Sequence, residues 1–337
     1  MRLYRLPKFE GFDDLTLGEA EVKRPGRGQV LVRVRAASLN FRDLAVATGR
    51  YVMGTLSPGL VPISDGAGEV VEIGEGVDRV RVGDRVAGIF MQGWLGGEIE
   101  PAFRDTALGG AIDGVLAEYV VFDQQGLVHV PAHLSFAQAA CLPCAGVTAW
   151  NALMGLNPVQ PGQSVLVLGT GGVSIFALQF AHAAGARVIA TSSSDAKLER
   201  ARALGASELV NYKAREDWDV AVRGLTDGRG VDHVVEIGGP GTLQRSIGAA
   251  RLGGLVSLIG VLTRGQIDPL AILAGGAIVR GVFVGSRQMF EAMNRAITTS
   301  GMMPVVDRVF AFEEAAQAYR ALKSAQHVGK IVISLEP

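Results

Sequence analysis

The sequence predicts an α/β protein in two parts, a β-rich head followed by a doubly wound parallel sheet. Three observations carry this. Residues 1 to about 124 hold short strand-like runs separated by glycine-rich turns, with no helical pattern between them. From Ser135 onward, apolar strand runs alternate with helical patterns, the layout of a sheet covered on both faces. At the first strand-to-helix junction of that series stands a glycine cluster, Gly169-Thr-Gly171-Gly172-Val173-Ser174.

In the head, residues 30–36 alternate apolar and charged side chains, the pattern of a half-buried strand. Residues 68–74, 80–88 and 117–122 are further short strands, and the set suggests a closed or partly rolled barrel. Residues 91–114 are rich in glycine and charge, contain Pro101 and have no periodicity. A connection of that length is expected to be a lid, a binding loop or a mobile segment. Trp94 and Phe103 within it either fold it onto the body or roof a pocket.

Ser135-Phe-Ala-Gln138 is a capping box that opens a helix. A second helical stretch, 145–156, is ended by Pro158 and Pro161. Strands then follow at 165–168, 187–190, 208–211, 231–237 and 255–260, with helices at 173–184, 195–204, 215–225 and 242–250 between them. The tail is read as a strand (278–284), a helix (287–299), a strand (305–310), a helix (313–323) and a last strand (330–335).

Composition narrows the function. With 48% apolar and 19% charged residues the chain is globular. A net charge of −1 provides no footprint for nucleic acid or an anionic membrane. No apolar run reaches the ~20 residues of a membrane span, and the N-terminus has no signal-peptide apolar region. Cys141 and Cys144 are too few for a disulfide framework. A cytoplasmic protein acting on a small molecule is expected.

Strand, glycine turn and helix together point backbone N–H groups and a helix N-terminus at a phosphate, and glycine lets the backbone approach it. In a doubly wound sheet ligands sit at the carboxyl ends of the strands. Those ends are Gly169, 191–194, Asn211-Tyr212, Gly238-Gly239 and Gly260-Val261, all but two of them glycine or polar. An NAD site would end the second strand in a carboxylate for the ribose 2′-hydroxyl. Here stand Ser192, Ser193 and, a turn later, Lys197, a set suited to a 2′-phosphate. NADP(H) is therefore expected, with NAD(H) the alternative if Ser194 and Asp195 only cap the next helix.

These motifs resemble the medium-chain dehydrogenase/reductase superfamily, and most closely its zinc-free, quinone-oxidoreductase-like (zeta-crystallin-like) branch. The resemblance rests on Ala36-Ala-Ser-Leu-Asn40-Phe-Arg-Asp43, Gly66-Ala-Gly68-Glu-Val-Val-Glu-Ile-Gly74, Val82-Gly-Asp84-Arg-Val, Leu142-Pro-Cys-Ala-Gly-Val-Thr148-Ala-Trp, the glycine turn, and His327-Val-Gly-Lys330-Ile-Val-Ile. It implies a GroES-like β-barrel domain (1–124), a Rossmann domain (125–268, with its last strand and helix in 269–300) and a return to the catalytic domain (301–337). The active site would lie in a cleft between them.

Relatives with zinc carry cysteine where this chain has Asn40, a His-Glu pair where it has Ser64-Asp65, and a third ligand at the position of Cys144. Asn40 and Ser64 are poor ligands, and 91–114 contains no cysteine for a structural zinc, so no metal site is expected. The resemblance puts Tyr51, Arg42, Asn40 and Asp65 near the nicotinamide, with Tyr51 the first choice of proton donor or oxyanion partner and Arg42 the second. Asp43 is expected to pair with a neighbouring arginine. Cofactor contacts are implied for Asn40, Thr148, Gly171, Gly172, Val173, Ser192, Ser193, Lys197, Tyr212, Gly238, Ile259, Gly260, Val284, Gly285, Ser286 and Lys330, the last at a cofactor phosphate. Ser174 stands where many relatives have glycine, which would set the helix slightly farther from its strand.

The expected activity is NADPH-dependent hydride transfer to a quinone or conjugated carbonyl. A zinc-free alcohol dehydrogenase or carbonyl reductase is the alternative, and a non-catalytic NADPH-binding protein the third reading. A homodimer through the sheet edge near 278–284 is implied as well.

Overall fold

The computed structural model describes residues 1–51, 55–260, 262, 263 and 265–336; Val261, named above with Gly260 as a strand end, lies outside them. Contacts divide the chain into two compact units, Met1–Val147 with Gly285–Pro337, and Thr148–Val284.

In the first unit the long strand Gln29–Leu39 is central. It runs antiparallel to Asp65–Ile73, to Lys330–Ser334 and, along its first half, to Tyr119–Asp123. The full path is Val306–Ala311, Lys330–Ser334, Gln29–Leu39, Asp65–Ile73, Arg85–Gly88 and Leu127–His129. Alternation along the central strand sends Val30, Val32 and Val34 into a core with Val70, Val86, Phe122, Ile331 and Ile333. The register decides what the far end of this strand meets. Ser38 pairs with Asp65, and Leu39 pairs with Ile331. Asn40 therefore emerges between the first residues of two neighbouring strands, Asp65 and Lys330.

The second unit holds six parallel strands in the order Glu208–Asn211, Arg187–Ser192, Ser164–Leu168, Val231–Glu236, Ala250–Leu258 and Ile278–Gly281. Ser164–Leu168 is buried throughout, which is why it reads as a continuous apolar run. The chain leaves it toward one edge and returns to its other side at Val231–Glu236. The strand order reverses at that point, where ligands of such sheets bind.

The doubly wound pattern was read correctly, with shifted ends. The strand expected at 255–260 spans Ala250–Leu258, and the one expected at 278–284 stops at Gly281. Two short helices, Phe41–Ala47 and Pro269–Gly275, had no counterpart in the sequence reading. The 91–114 segment is docked at both ends. Trp94 is buried and stacks on Phe103. The Trp94 and Leu95 carbonyls accept from the Arg287 and Gln288 amides at the start of the helix Arg287–Ser300. Its far end is bonded to Val61, whose carbonyl accepts from the Gly114 amide and whose amide donates to Asp113 Oδ1.

Candidate active site and cofactor turn

The site in the first unit is built at the junction between strand Gln29–Leu39 and helix Phe41–Ala47. Asn40 is the N-cap, but its side chain does not cap; instead Asp43 Oδ2 accepts from the Asn40 amide at 2.7 Å. Asn40 Oδ1 accepts from Lys330 Nζ at 2.5 Å, and the same ammonium donates to the Leu39 carbonyl at 2.5 Å. Asn40 and Lys330 are 8% and 3% exposed, so this contact is shielded from water. Asp65, fully buried, accepts from Ser64 Oγ at 2.7 Å and from the Cys144 amide at 2.9 Å. Cys144 lies in a π-helical turn, Leu142–Gly146, that brings its amide to that carboxylate.

Burial dominates the ionisation of this cluster. It pushes Asp43 up to about 6, opposed by the Arg42 guanidinium, and raises Asp65, opposed by the Lys330 ammonium. The Cys144 thiol is driven up by burial and by Asp65.

Arg42 is placed otherwise than a proton donor requires. Its Nη1 donates to the Leu108 and Gly109 carbonyls at 2.8 and 2.9 Å and meets Asp43 at 3.3 Å. Its guanidinium lies between the Tyr51 and Phe90 rings, 4.5 and 5.0 Å from their centroids. A guanidinium stays protonated in proteins, so Arg42 binds the loop and Tyr51 and is a poor source of a proton. A β-carbon at Gly110 would come within 2.3 Å of Arg42 Nη2, so glycine there lets the loop close on it. Asp43 makes the arginine contact expected of it.

In the second unit the glycine turn follows Leu168. Gly169 has φ +71°, a conformation that favours glycine. Gly171 is the N-cap of helix Gly172–Ala183, no side chain caps that terminus, and a β-carbon on Gly171 would meet nothing within 4 Å. An uncapped helix start with open space before it fits a pyrophosphate. Ser174 does not loosen the junction: its Oγ donates to the Leu168 carbonyl at 2.6 Å and ties helix to strand.

Other expected contacts fall into groups. Ser192 and Tyr212 are joined by the Tyr212 amide on the Ser192 carbonyl at 3.1 Å, and Ser194 caps the helix that carries Lys197. Ser193 lies between Ser192 and that cap. Gly238, Ile259 and Gly260 gather at the end of strand Val231–Glu236. Their amides are already engaged: Gly238 donates to Glu236 Oε1, and Ile259 and Gly260 to the Glu236 carbonyl. Close approach is what these three can offer a ligand. Glu236 itself, unmarked in the sequence reading, is fully buried and also accepts from Gly239, Thr242 and Ser246. Thr148 is buried on helix Val147–Met154. Val284 has φ +37°, costly for a β-branched residue, and its carbonyl is held by Asn151 Nδ2 at 2.7 Å. Gly285 and Ser286 follow, with Ser286 capping helix Arg287–Ser300.

Comparison with known proteins places this geometry. Residues 26–132 match the alcohol dehydrogenase GroES-like domain, and residues 172–299 the zinc-binding dehydrogenase family. A zinc-type alcohol dehydrogenase-like protein of Schizosaccharomyces pombe is 44% identical, over 98% of this chain and 97% of that protein. The chain belongs to the medium-chain dehydrogenase/reductase superfamily. Its head is the GroES-like domain and its parallel sheet the Rossmann domain of that superfamily. Among solved structures, an NAD-dependent alcohol dehydrogenase is similar at 33% identity and TM-score 0.90, covering 100% of both chains. A Pseudomonas syringae quinone oxidoreductase is similar at 28% and 0.83, covering 99% of each chain. A mycobacterial protein complexed with NADPH is similar at 25% and 0.84, covering 99% of this chain and 100% of that one. The protein is thus an NAD(P)-dependent oxidoreductase of the medium-chain superfamily.

Two of these names carry zinc, and the donor set here does not fit that ion. Asn40 and Ser64 are poor ligands, both Asp65 oxygens are engaged, the Cys144 thiol resists ionisation, and a lysine ammonium bonds to Asn40. Among the described residues no three His, Cys, Asp or Glu side chains group as metal ligands.

Proposed function

We propose that this medium-chain oxidoreductase reduces a quinone or conjugated carbonyl with NADPH and without a metal. The observation that carries the reading is the Asn40 cluster. Where zinc-type relatives need anionic and imidazole ligands, this chain has an amide held by an ammonium. Such a site supplies hydrogen bonds to an oxygen gaining charge, and they suffice where the acceptor delocalises that charge itself.

The glycine turn and the uncapped helix start would hold the pyrophosphate. Ser192, Ser193, Lys197 and Tyr212 would surround the 2′-phosphate, which favours NADPH over NADH. The bound nicotinamide supplies hydride. Asn40 donates to the acceptor's carbonyl oxygen, and Tyr51, its ring held by Arg42, delivers the proton that completes reduction. Arg42 acts through Tyr51 and the 91–114 loop. Asp65, fully engaged by Ser64 and Cys144, anchors the π-helical turn.

A paired assay tests this. With NADPH, a simple enone or quinone should be consumed and a primary alcohol with NADP left unoxidised, by protein containing no stoichiometric zinc. Alcohol oxidation dependent on bound zinc would sink the proposal and favour an alcohol dehydrogenase, the second reading, which the names of the 44% and 33% identical relatives support.

We also propose a homodimer through the exposed sheet edge. Ile278–Gly281 is the terminal strand, and Leu252, Leu270 and Leu273 are 73%, 66% and 78% exposed in the same unit. A monomer mass by sedimentation would rule it out.

A further inference from the structure

Lys330 and Asn40 stand 290 residues apart in the chain, yet the antiparallel register of Lys330–Ser334 on Gln29–Leu39 sets them opposite each other. A lysine ammonium only donates hydrogen bonds. The Asn40 amide must therefore turn its oxygen to Lys330. The reversed amide would set Nδ2 against the ammonium and its oxygen toward the Asp65 carboxylate, which carries the same sign of partial charge. Both neighbours select one orientation. In it Asn40 Nδ2 is buried and faces the Asp65 carboxylate, whose charged form it favours, without completing a hydrogen bond of good geometry. An amide N–H₂ has two hydrogens, and Asp65 takes at most one in this geometry. A buried N–H left over is costly in a resting protein, and is what a site would keep for an oxygen that arrives with its ligand.

We infer that Lys330 is a positioning residue: it locks the Asn40 amide so that Nδ2 is a fixed donor to the acceptor oxygen that becomes negative during reduction. The inference rests on the proposed reading of Asn40 as the donor in carbonyl reduction. It assigns Lys330 a different task from reaching a cofactor phosphate. Because the lock is built from the strand register, the donor is in place before the acceptor binds, and no reorientation is needed during the reaction.

A double-mutant cycle tests it, using NADPH and 2-cyclohexen-1-one as the probe pair. Asn40→Ala should lower kcat on the order of 100-fold, the usual consequence of losing one oxyanion donor. Lys330→Met should lower kcat roughly tenfold or more and leave the KM for NADPH within about threefold. In the Asn40→Ala background the same change should add less than about twofold, because the amide it positions is gone. Lys330→Gln, whose amide can still donate to Asn40 Oδ1, should recover part of the loss, and it takes the place of Lys330→Met if that variant does not fold. Equal losses in both backgrounds, or a raised NADPH KM with unchanged kcat, would overturn the assignment. If the wild-type protein does not turn over the enone, the reading of the reaction fails on its own. The side-chain amide signals of ¹⁵N-labelled protein, with Asn40 identified by its absence in Asn40→Ala, then decide about Lys330. A dispersed Asn40 pair that moves on Lys330→Met supports the lock, and an unmoved pair refutes it.

Discussion

Two strand-to-helix junctions face different tasks in this protein, and they are built in opposite ways. At Leu39-Asn40-Phe41 the turn is dressed with side chains: Asp43 closes the helix start, Lys330 holds Asn40, and buried carboxylates surround them. At Leu168–Gly172 the turn is bare. Its helix start carries no side-chain cap, Gly171 faces open space, Thr170 is buried, and Ser174 is turned back onto the strand. The first junction acts through positioned side chains, and its neighbours fix their direction. The second offers backbone, and a side chain at Gly171 would obstruct it. A residue that strengthens one would damage the other.

The sharpest way to break this contrast is to add bulk to the bare turn. Gly171 has an ordinary φ of −74° and space for a β-carbon. Gly171→Val should leave the melting temperature nearly unchanged while NADPH affinity falls on the order of 100-fold, read by fluorescence titration. Retained affinity would mean that the turn does not hold the pyrophosphate. Next in size is Lys197→Ala. It should weaken NADPH about tenfold and NADH hardly at all, in line with the loss of one charge-assisted contact. Equal losses for both cofactors would dismiss the 2′-phosphate assignment.

The dressed junction titrates and the bare one has no ionisable group. Asp43 is held at about 6, above its ordinary 3.8, because burial disfavours its charge. The folded state then binds the proton more tightly than the unfolded state. Stability from this group is present below pH 4 and lost as pH rises through about 6, an effect on the order of 2–3 kcal/mol. Asp43→Asn should remove that slope from denaturant unfolding measured across pH 4–7. An unchanged slope would assign the titration elsewhere. The smallest effect is expected for Ser174→Ala, which removes one buried hydrogen bond and should cost about 1 kcal/mol.

What the sequence disclosed follows from how local each signal is. The glycine turn, its buried strand and the Ser135–Gln138 capping box are contiguous, and the box forms as read, with Ser135 Oγ accepting from the Gln138 amide and Gln138 Oε1 from the Ser135 amide. Helix Pro269–Gly275 buries none of its residues, so it leaves no apolar period to detect. Helix Phe41–Ala47 spans seven residues and begins with a half-exposed phenylalanine. The Asn40–Lys330 contact was legible only as two separate motifs. Its meaning depends on a strand register that no local pattern encodes. The contacts of Arg42 were unreadable for a related reason: its partners, Leu108 and Gly109, come from a segment without periodicity.

That segment has a practical consequence for engineering. It is fastened near its start by Trp94 and Leu95 on the helix Arg287–Ser300, and near its end by Arg42 and Val61. Between these anchors residues 97–102 are exposed and the backbone turns at Gly97 with φ +71°. A tag or reporter spliced there would ride on the tip without straining the Arg42 anchorage. Deletions that shorten the excursion would pull on Arg42 and the Tyr51 ring.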